Sequence, residues 1–353
     1  MTSLLKLLAV VFLHGCLCGS ALARDTYRVI ELGPRQYLPR ALNDAGQVTG
    51  YLSEVLPNGQ PLNTAFVFTP GEGVRLLDPA QSFKVSYGMD INDRGEVALS
   101  ADARAYRWDS RSGFVGVGSL VFDNFTTPFA INNAGVVTGE SWIRGVSFSD
   151  PGHFRAFVAR PGRPLEDIRP DDRSSVGMAI NDRGQVAGSA QFSGTAFSGF
   201  VFDARSGMTP IPGTRRATAI NDAGWVGGQT PDNDAFLYTP DGVLTPLGTL
   251  GLADSFVNGI NNAGTLVGHA QTDLGPPNGT VTRVPFIYTP DEGIADLNSL
   301  LTGADRAHYR LWDAHDINNR GWIAATAFGP RGTVGVLLVQ CRAPRGLLSR
   351  LGF

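Results

Sequence analysis

Apolar and polar positions alternate along this chain in short bursts, and one ten-residue pattern of this kind occurs seven times. It reads ALNDAGQVTG at 41–50, DINDRGEVAL at 90–99, AINNAGVVTG at 130–139 and AINDRGQVAG at 179–188. It continues as AINDAGWVGG at 219–228, GINNAGTLVG at 259–268 and DINNRGWIAA at 316–325. Every copy sets an apolar residue before an Asn, closes a polar tetrad with a Gly, and resumes with Val, Leu or Ile two residues later. A polar tetrad between two apolar segments predicts a β-hairpin. The Asn side chain can fold back onto the amide two residues on. The Gly supplies the left-handed backbone of a type I turn that closes into a bulge.

A third apolar stretch follows each hairpin: AFVF at 65–68, AYRW at 105–108, AFVA at 156–159, GFVF at 199–202, AFLY at 235–238, PFIY at 285–288 and GVLL at 335–338. Its aromatic and β-branched residues favour a strand. In most copies a turn such as TPGEG or DSRSG then leads to a fourth apolar segment, such as VRLLD, MTPI or LTPLG. The repeated Asn residues, from Asn43 to Asn318, are separated by 49, 40, 49, 40, 40 and 57 residues, the period of propeller blades. The last unit lacks a fourth strand, while TYRVIELG at 26–33 resembles one and precedes the first hairpin. The fold class expected is all-β: a seven-bladed β-propeller of four-stranded antiparallel blades, closed by the N-terminal strand pairing with the C-terminal blade.

The position before the repeated apolar residue is Ala41, Ala130, Ala179, Ala219 or Gly259 in five units, as innermost strands crowding an axis require. In the other two it is Asp90 and Asp316. Those carboxylates are expected either to face a water-filled central channel or to contribute to an ion or ligand site on the axis.

The N-terminus changes the picture of where the protein works. Lys6, an apolar run over 7–13 and the sequence Ala21-Leu22-Ala23 have the layout of a cleavable secretory signal spanning residues 1–23. The run is far short of the ~20 residues that span a bilayer. Lipid attachment at Cys16 is the other reading of LHGC. A propeller over 24–341 and a C-terminal tail over 342–353 are expected to follow, in the periplasm or outside the cell. Cys341 would then be the sole cysteine, which rules out an internal disulfide. Removing 1–23 takes away one basic residue of 29, Lys6, and none of the 32 acidic ones. A mildly acidic chain without a basic cluster argues against nucleic-acid binding.

The small residue, the I-N-x-x-G-x-V-x-G phrase, and the terminal D-L-G-like strand resemble the bacterial HAF family of extracellular repeats. The resemblance covers nearly the whole mature chain. Ala65-Phe66, Ala156-Phe157 and Ala235-Phe236 keep the last two residues of the family's His-Ala-Phe motif, but no copy has its His. DLNSLLTG at 296–303 resembles that family's longer final unit, and a short helix is expected to start near Asn298 or Ser299. The resemblance implies an exported repeat protein and carries no defined activity.

Function is expected on the face where the repeat varies. From each repeated Asn to the third strand the interval is 23, 14, 25, 19, 15, 25 and 18 residues, and loop variation on a rigid scaffold is where binding resides. The long loops span 51–64, 140–155 and 269–284. The second carries Trp142, Arg144, His153 and Arg155, which can stack on a sugar or clasp a carboxylate. The competing reading is a loop that packs its aromatic residue on a neighbouring blade. With His269, Asp90 and Asp316 these are the candidate ligand-binding residues. His153 and His269 lack a third ligand at metal spacing, and the tetrads lack the spread acids of a calcium loop, so no metal and no cofactor is expected. There is no G-x-S-x-G, no H-E-x-x-H and no Cys/His pair. Glu54, Glu140 and Asp273 leave a glycosidase reading open. The expectation is a monomeric exported module binding a glycan or a protein, with a hydrolase of extracellular polysaccharide as the alternative.

Overall fold

The computed structural model describes residues 26–341 apart from 79, 122–124, 144–152, 170, 172 and 273–281. The expectations for residues 1–23, Cys16 and the tail 342–353 therefore lie outside the described residues. Among the described residues the chain forms seven four-stranded antiparallel sheets, six of them from consecutive strands. Blade 1 comprises Tyr37–Leu42, Val48–Val55, Pro61–Thr69 and Gly73–Leu76. The first strands of blades 2 to 7 are Ser86–Ile91, Thr126–Ile131, Ser175–Ile180, Arg216–Ile220, Asp254–Ile260 and Arg310–Ile317. These first strands touch their neighbours all the way round, blade 7 meeting blade 1, and so line a central axis.

The seventh blade takes its outermost strand, Thr26–Glu31, from the other end of the chain, in antiparallel register from Thr26 opposite Cys341 to Glu31 opposite Val336. Side chains lock the seam. Val29 N–H donates to Asp305 Oδ2 at 3.2 Å, Tyr309 Oη donates to Glu31 Oε1 at 2.8 Å, and Arg331 pairs with Glu31. Asp305 and Tyr309 belong to the insertion behind the 57-residue interval, which folds as a 3-10 turn, Leu297–Leu300, and a one-turn helix, Gly303–Arg306. A short helical turn therefore starts close to the expected Asn298 or Ser299, but neither of these residues is its cap. Asp296 caps the first turn, accepting from Asn298 N–H at 2.8 Å, and Thr302 caps the second.

The core is divided among the interfaces between blades, where the third-strand aromatics Phe66, Phe157, Phe200, Phe236 and Phe286 are fully buried. Each such ring contributes about 2 kcal/mol of hydrophobic stabilisation. That explains why an aromatic recurs at this point of the repeat. No helix among the described residues is long and apolar enough to cross a membrane.

Candidate functional site

The repeated tetrads close as turns: Gly46 N–H donates to Asn43 O at 3.0 Å, and the seven closing glycines have φ between 74° and 82°. Asn92 Oδ1 accepts from Arg94 N–H, two residues on, at 3.1 Å and from Glu96 N–H at 2.9 Å. The same Asn side chains also reach across to the next blade. Nδ2 of Asn43 donates to Asn92 O at 2.9 Å, and so on through Asn132, Asn181, Asn221, Asn261 and Asn318, whose Nδ2 returns to Asn43 O at 2.9 Å. A second closed ring runs through the following residue: each backbone N–H of Asp44, Asp93, Asn133, Asp182, Asp222, Asn262 and Asn319 donates to Oδ1 of the next at 2.8 or 2.9 Å. The other oxygens of the four aspartates accept from the Nδ2 groups of Asn133, Asn262 and Asn319. Mixing Asn among Asp supplies these donors, which seven aspartates would lack. The phrase is thus a belt as well as a turn.

The other end of the axis is built differently. In every blade the pairing of first and second strands slips by one residue just before the repeated phrase, which leaves Arg40, Met89, Phe129, Met178, Thr218, Asn258 and His315 as bulges; blade 7 slips a second time, at Trp312. A bulge re-aims the side chain of its extra residue. The seven bulges next to the phrase line one cavity of about 190 Å³ in the central channel, on the side of the Leu/Ile ring away from the hairpins. Met89, Phe129 and Met178 form one wall; Thr218, Asn258, His315 and Arg40 form the other. The slip also explains the Gly that ends the phrase in five copies. A Cβ at Gly50 would lie 2.0 Å from Leu38 O, and one at Gly268 would lie 1.8 Å from Phe256 O.

Asp90 and Asp316 sit one residue deeper than the bulges and line the same cavity. Each ties two blades: Asp90 accepts from Ile131 N–H and Ile91 N–H, both at 2.8 Å, and Asp316 accepts from Leu42 N–H at 3.0 Å and Ile317 N–H at 2.8 Å. Burial outweighs these hydrogen bonds, pushing Asp90 up to about 6 and Asp316 up to about 8.

Along the polar wall, Thr218 Oγ1 donates to Val257 O at 2.7 Å, and Asn258 Nδ2 donates to Ala314 O at 2.8 Å and Asp313 Oδ1 at 3.1 Å. His315 Nε2 meets Thr326 Oγ1 at 2.8 Å, and burial holds the imidazole below its ordinary pKa. Arg40 is exposed, lies over the Tyr51 ring at 5.6 Å, and makes no hydrogen bond or ion pair among the described residues.

His269 stands behind this wall, stacked on Phe256 with its Nδ1 2.9 Å from Asp313 Oδ1. Arg283 donates to the other Asp313 oxygen at 3.0 Å. Burial opposes charge on Asp313, but the His269 hydrogen bond and the charges of His315, His269 and Arg283 together hold it below the usual carboxylate range.

The remaining candidates lie apart from the channel. Trp142, paired in register with Phe154, packs edge-to-face on Phe125 at 6.4 Å. Arg155 donates to His153 Nε2 at 3.1 Å and to Asp167 Oδ2 at 2.7 Å within blade 3. Arg144 and Asp273 lie outside the described residues. Glu54 pairs with Arg35 at 3.3 Å, and burial raises Glu140. Among the described residues no three His, Cys, Asp or Glu side chains gather to hold a metal.

Sequence reasoning missed the bulge ring. Its signal was present: the column before Ala, Asp or Gly reads Arg, Met, Phe, Met, Thr, Asn, His, and changes chemistry at nearly every copy.

The profile of the family described as "Protein of unknown function (DUF3466)" matches residues 125–333. No curated protein matches the chain. Among solved structures it is similar to YCF48 bound to D1 peptide, at 11% identity and TM-score 0.54, over 90% of this chain and 98% of that one. It is also similar to virginiamycin B lyase from Staphylococcus aureus, at 12% identity and TM-score 0.49, over 90% of this chain and 100% of that one. A third is the extracellular domain of a proposed one-component system from B. thetaiotaomicron, at 11% identity and TM-score 0.49, over 88% of this chain. The chain spans 39% of that protein's length. At such identities the likeness is one of fold.

Proposed function

Because this chain belongs to the DUF3466 family of proteins of unknown function, its role has to be argued from its own residues, and we propose that it is an exported binding module. Its ligand, a glycan or a protein segment, docks on the variable-loop face over the mouth of the central channel. The bulge ring carries this reading. The scaffold repeats its turns, belts and buried aromatics while changing seven side chains that face one cavity, as a recognition site on a rigid frame would. Trp142, Arg144, His153 and Arg155 supply outer contacts of that face in this reading, and buried His269 backs the polar wall of the channel.

The resemblance of the I-N-x-x-G phrases to the extracellular HAF repeats supports export, with cleavage after residue 23 and a monomeric propeller over 24–341 in the periplasm or beyond. Hydrolysis of a polysaccharide has less support, since Asp90 and Asp316 commit both oxygens to backbone N–H groups.

The test is a glycan array and a protein pull-down with the chain, repeated with Arg40→Gln and Phe129→Ser and with the 140–155 loop shortened. Loss of a captured ligand in the ring variants is expected. Retention of every ligand by all three variants would refute the reading.

A further inference from the structure

The channel cavity restricts what can enter it, an inference that rests on the variable-loop face being the binding face. About 190 Å³ is below the roughly 300–1,000 Å³ of sites for drug-sized ligands and suits one amino-acid-sized group. Its hydrogen-bonding capacity is lopsided. The Thr218 hydroxyl proton and both Asn258 amide protons are already donated across blade boundaries. That leaves Asn258 Oδ1 and the Thr218 lone pairs as acceptors, with the carboxylates of Asp90 and Asp316 beneath them; His315 Nδ1 accepts or donates according to the tautomer set by its Thr326 contact. The facing wall of Met89, Phe129 and Met178 is apolar, and soft enough to fit several shapes. Arg40, at the exposed rim, has no ion-pair partner among the described residues.

An occupant that complements all three features brings a donor-rich cationic head inward, lays an apolar body on one wall and leaves an acceptor at the rim. The geometry points to an α-ammonium group joined to an apolar side chain, as in a free apolar amino acid or the N-terminal residue of a peptide. The ammonium meets Asn258 Oδ1, Asp90 and Asp316, and the face of Phe129 adds cation–π attraction. The side chain lies on Met89, Phe129 and Met178, and the carboxylate or first peptide carbonyl accepts from Arg40.

Acid–base behaviour agrees with this seating. Burial holds Asp316 up at about 8 and Asp90 at about 6, with the charges of Asp90 and then Asp44 adding repulsion on Asp316. Arg40, His315, and the Asp313, His269 and Arg283 group behind the wall are the other charged or titratable neighbours. An ammonium favours the ionised carboxylates, so binding releases protons and tightens as the pH rises from about 6 to about 8.

The experiment is calorimetric titration of the full chain with L-leucine, Leu-Gly-Gly, N-acetyl-leucine and glucose at pH 6 and pH 8. Saturable binding of leucine or Leu-Gly-Gly is expected, with N-acetyl-leucine weaker by about tenfold or more; leucine, whose ammonium stays protonated, should bind tighter at pH 8, whereas the peptide's α-amino group, with a pKa of about 8, offsets that gain. The tighter of the first two identifies the source, a free amino acid or a peptide end. Arg40→Gln, a substitution at an exposed position, should weaken leucine more than leucinamide, because leucine loses an ion pair with the guanidinium where the amide loses a hydrogen bond to its neutral carbonyl. Equal binding of leucine and N-acetyl-leucine, or no binding of either leucine or Leu-Gly-Gly, overturns the inference. If glucose alone binds, the inference fails and the binding-module reading stands; if these probes and the glycan and protein screens all return nothing, both fail.

Discussion

Asn318 Nδ2 donates to the backbone carbonyl of Asn43 at 2.9 Å, joining the last blade to the first across the seam where the ends of the chain meet. The bond is buried and is the seventh link of a closed belt, so its loss leaves a carbonyl without its donor at the axis. Asn318→Ala is expected to lower stability by about 1–3 kcal/mol, read as a fall in the urea midpoint. Asn318→Asp should recover part of that, because its Oδ1 can still accept from Arg320 N–H and Trp322 N–H.

Gly259 and Asp316 are matched. A Cβ at Gly259 would lie 2.6 Å from Asp316 Oδ1 and 3.0 Å from its Cα. Gly259→Ala should therefore cost about 1–3 kcal/mol. Asp316→Ala in the same chain places Ala at both positions, the arrangement at Ala179 and Ala219; it removes the contact with Oδ1 and leaves the backbone contact, so it should relieve the clash in part. A double-mutant cycle measures the coupling.

The pH dependence of stability has a definite sign. Asp316 holds its proton in the folded chain up to about 8, above its ordinary value of 3.8, so between those values the folded state binds more protons than the unfolded one. Stability then falls as pH rises through that window. Asp316→Asn removes this contribution, so the wild type's advantage over the variant should shrink between pH 5 and pH 8. Denaturation midpoints of both chains at the two pH values are the check.

Much of the architecture is legible because it is written locally and repeatedly. Asn43 and Gly46 announce a turn within four residues, and the fourth-strand character of residues 26–33 reveals the closure. The belt is not legible, since the partner of Asn43 Nδ2 is a carbonyl 49 residues away that any sequence would supply. The bulge ring was hidden for another reason. Counting by twos along RAL or TAI assigns faces as though the strand were regular, and a bulge changes that count without leaving a residue type as its mark. His269 drew notice as a histidine, yet its partner Asp313 lies 44 residues on, inside a strand that gave no reason to connect the two.

Two turn glycines separate backbone strain from crowding. Gly95 and Gly264 have φ of 74° and 78°, so alanine carries a similar conformational cost at each, about 1 kcal/mol. A Cβ at Gly95 would meet only Gln47 Oε1, at 3.3 Å, whereas one at Gly264 would lie 2.3 Å from the Trp225 indole. Gly264→Ala should be the more destabilising by a further 1–3 kcal/mol or so. Thermal unfolding of the two variants side by side decides it.

The central claim is a division of labour between two rings three residues apart: the repeated Asn ring holds the blades together, and the varied bulge ring recognises the ligand. Its most direct test sets Asn132→Ala beside Phe129→Ser and measures two quantities for each, the urea midpoint and the affinity for a ligand returned by the glycan array or pull-down. A lower midpoint with binding retained is expected for Asn132→Ala, and a midpoint near wild type with binding lost for Phe129→Ser. Binding retained by Phe129→Ser and lost by a well-folded Asn132→Ala would contradict it.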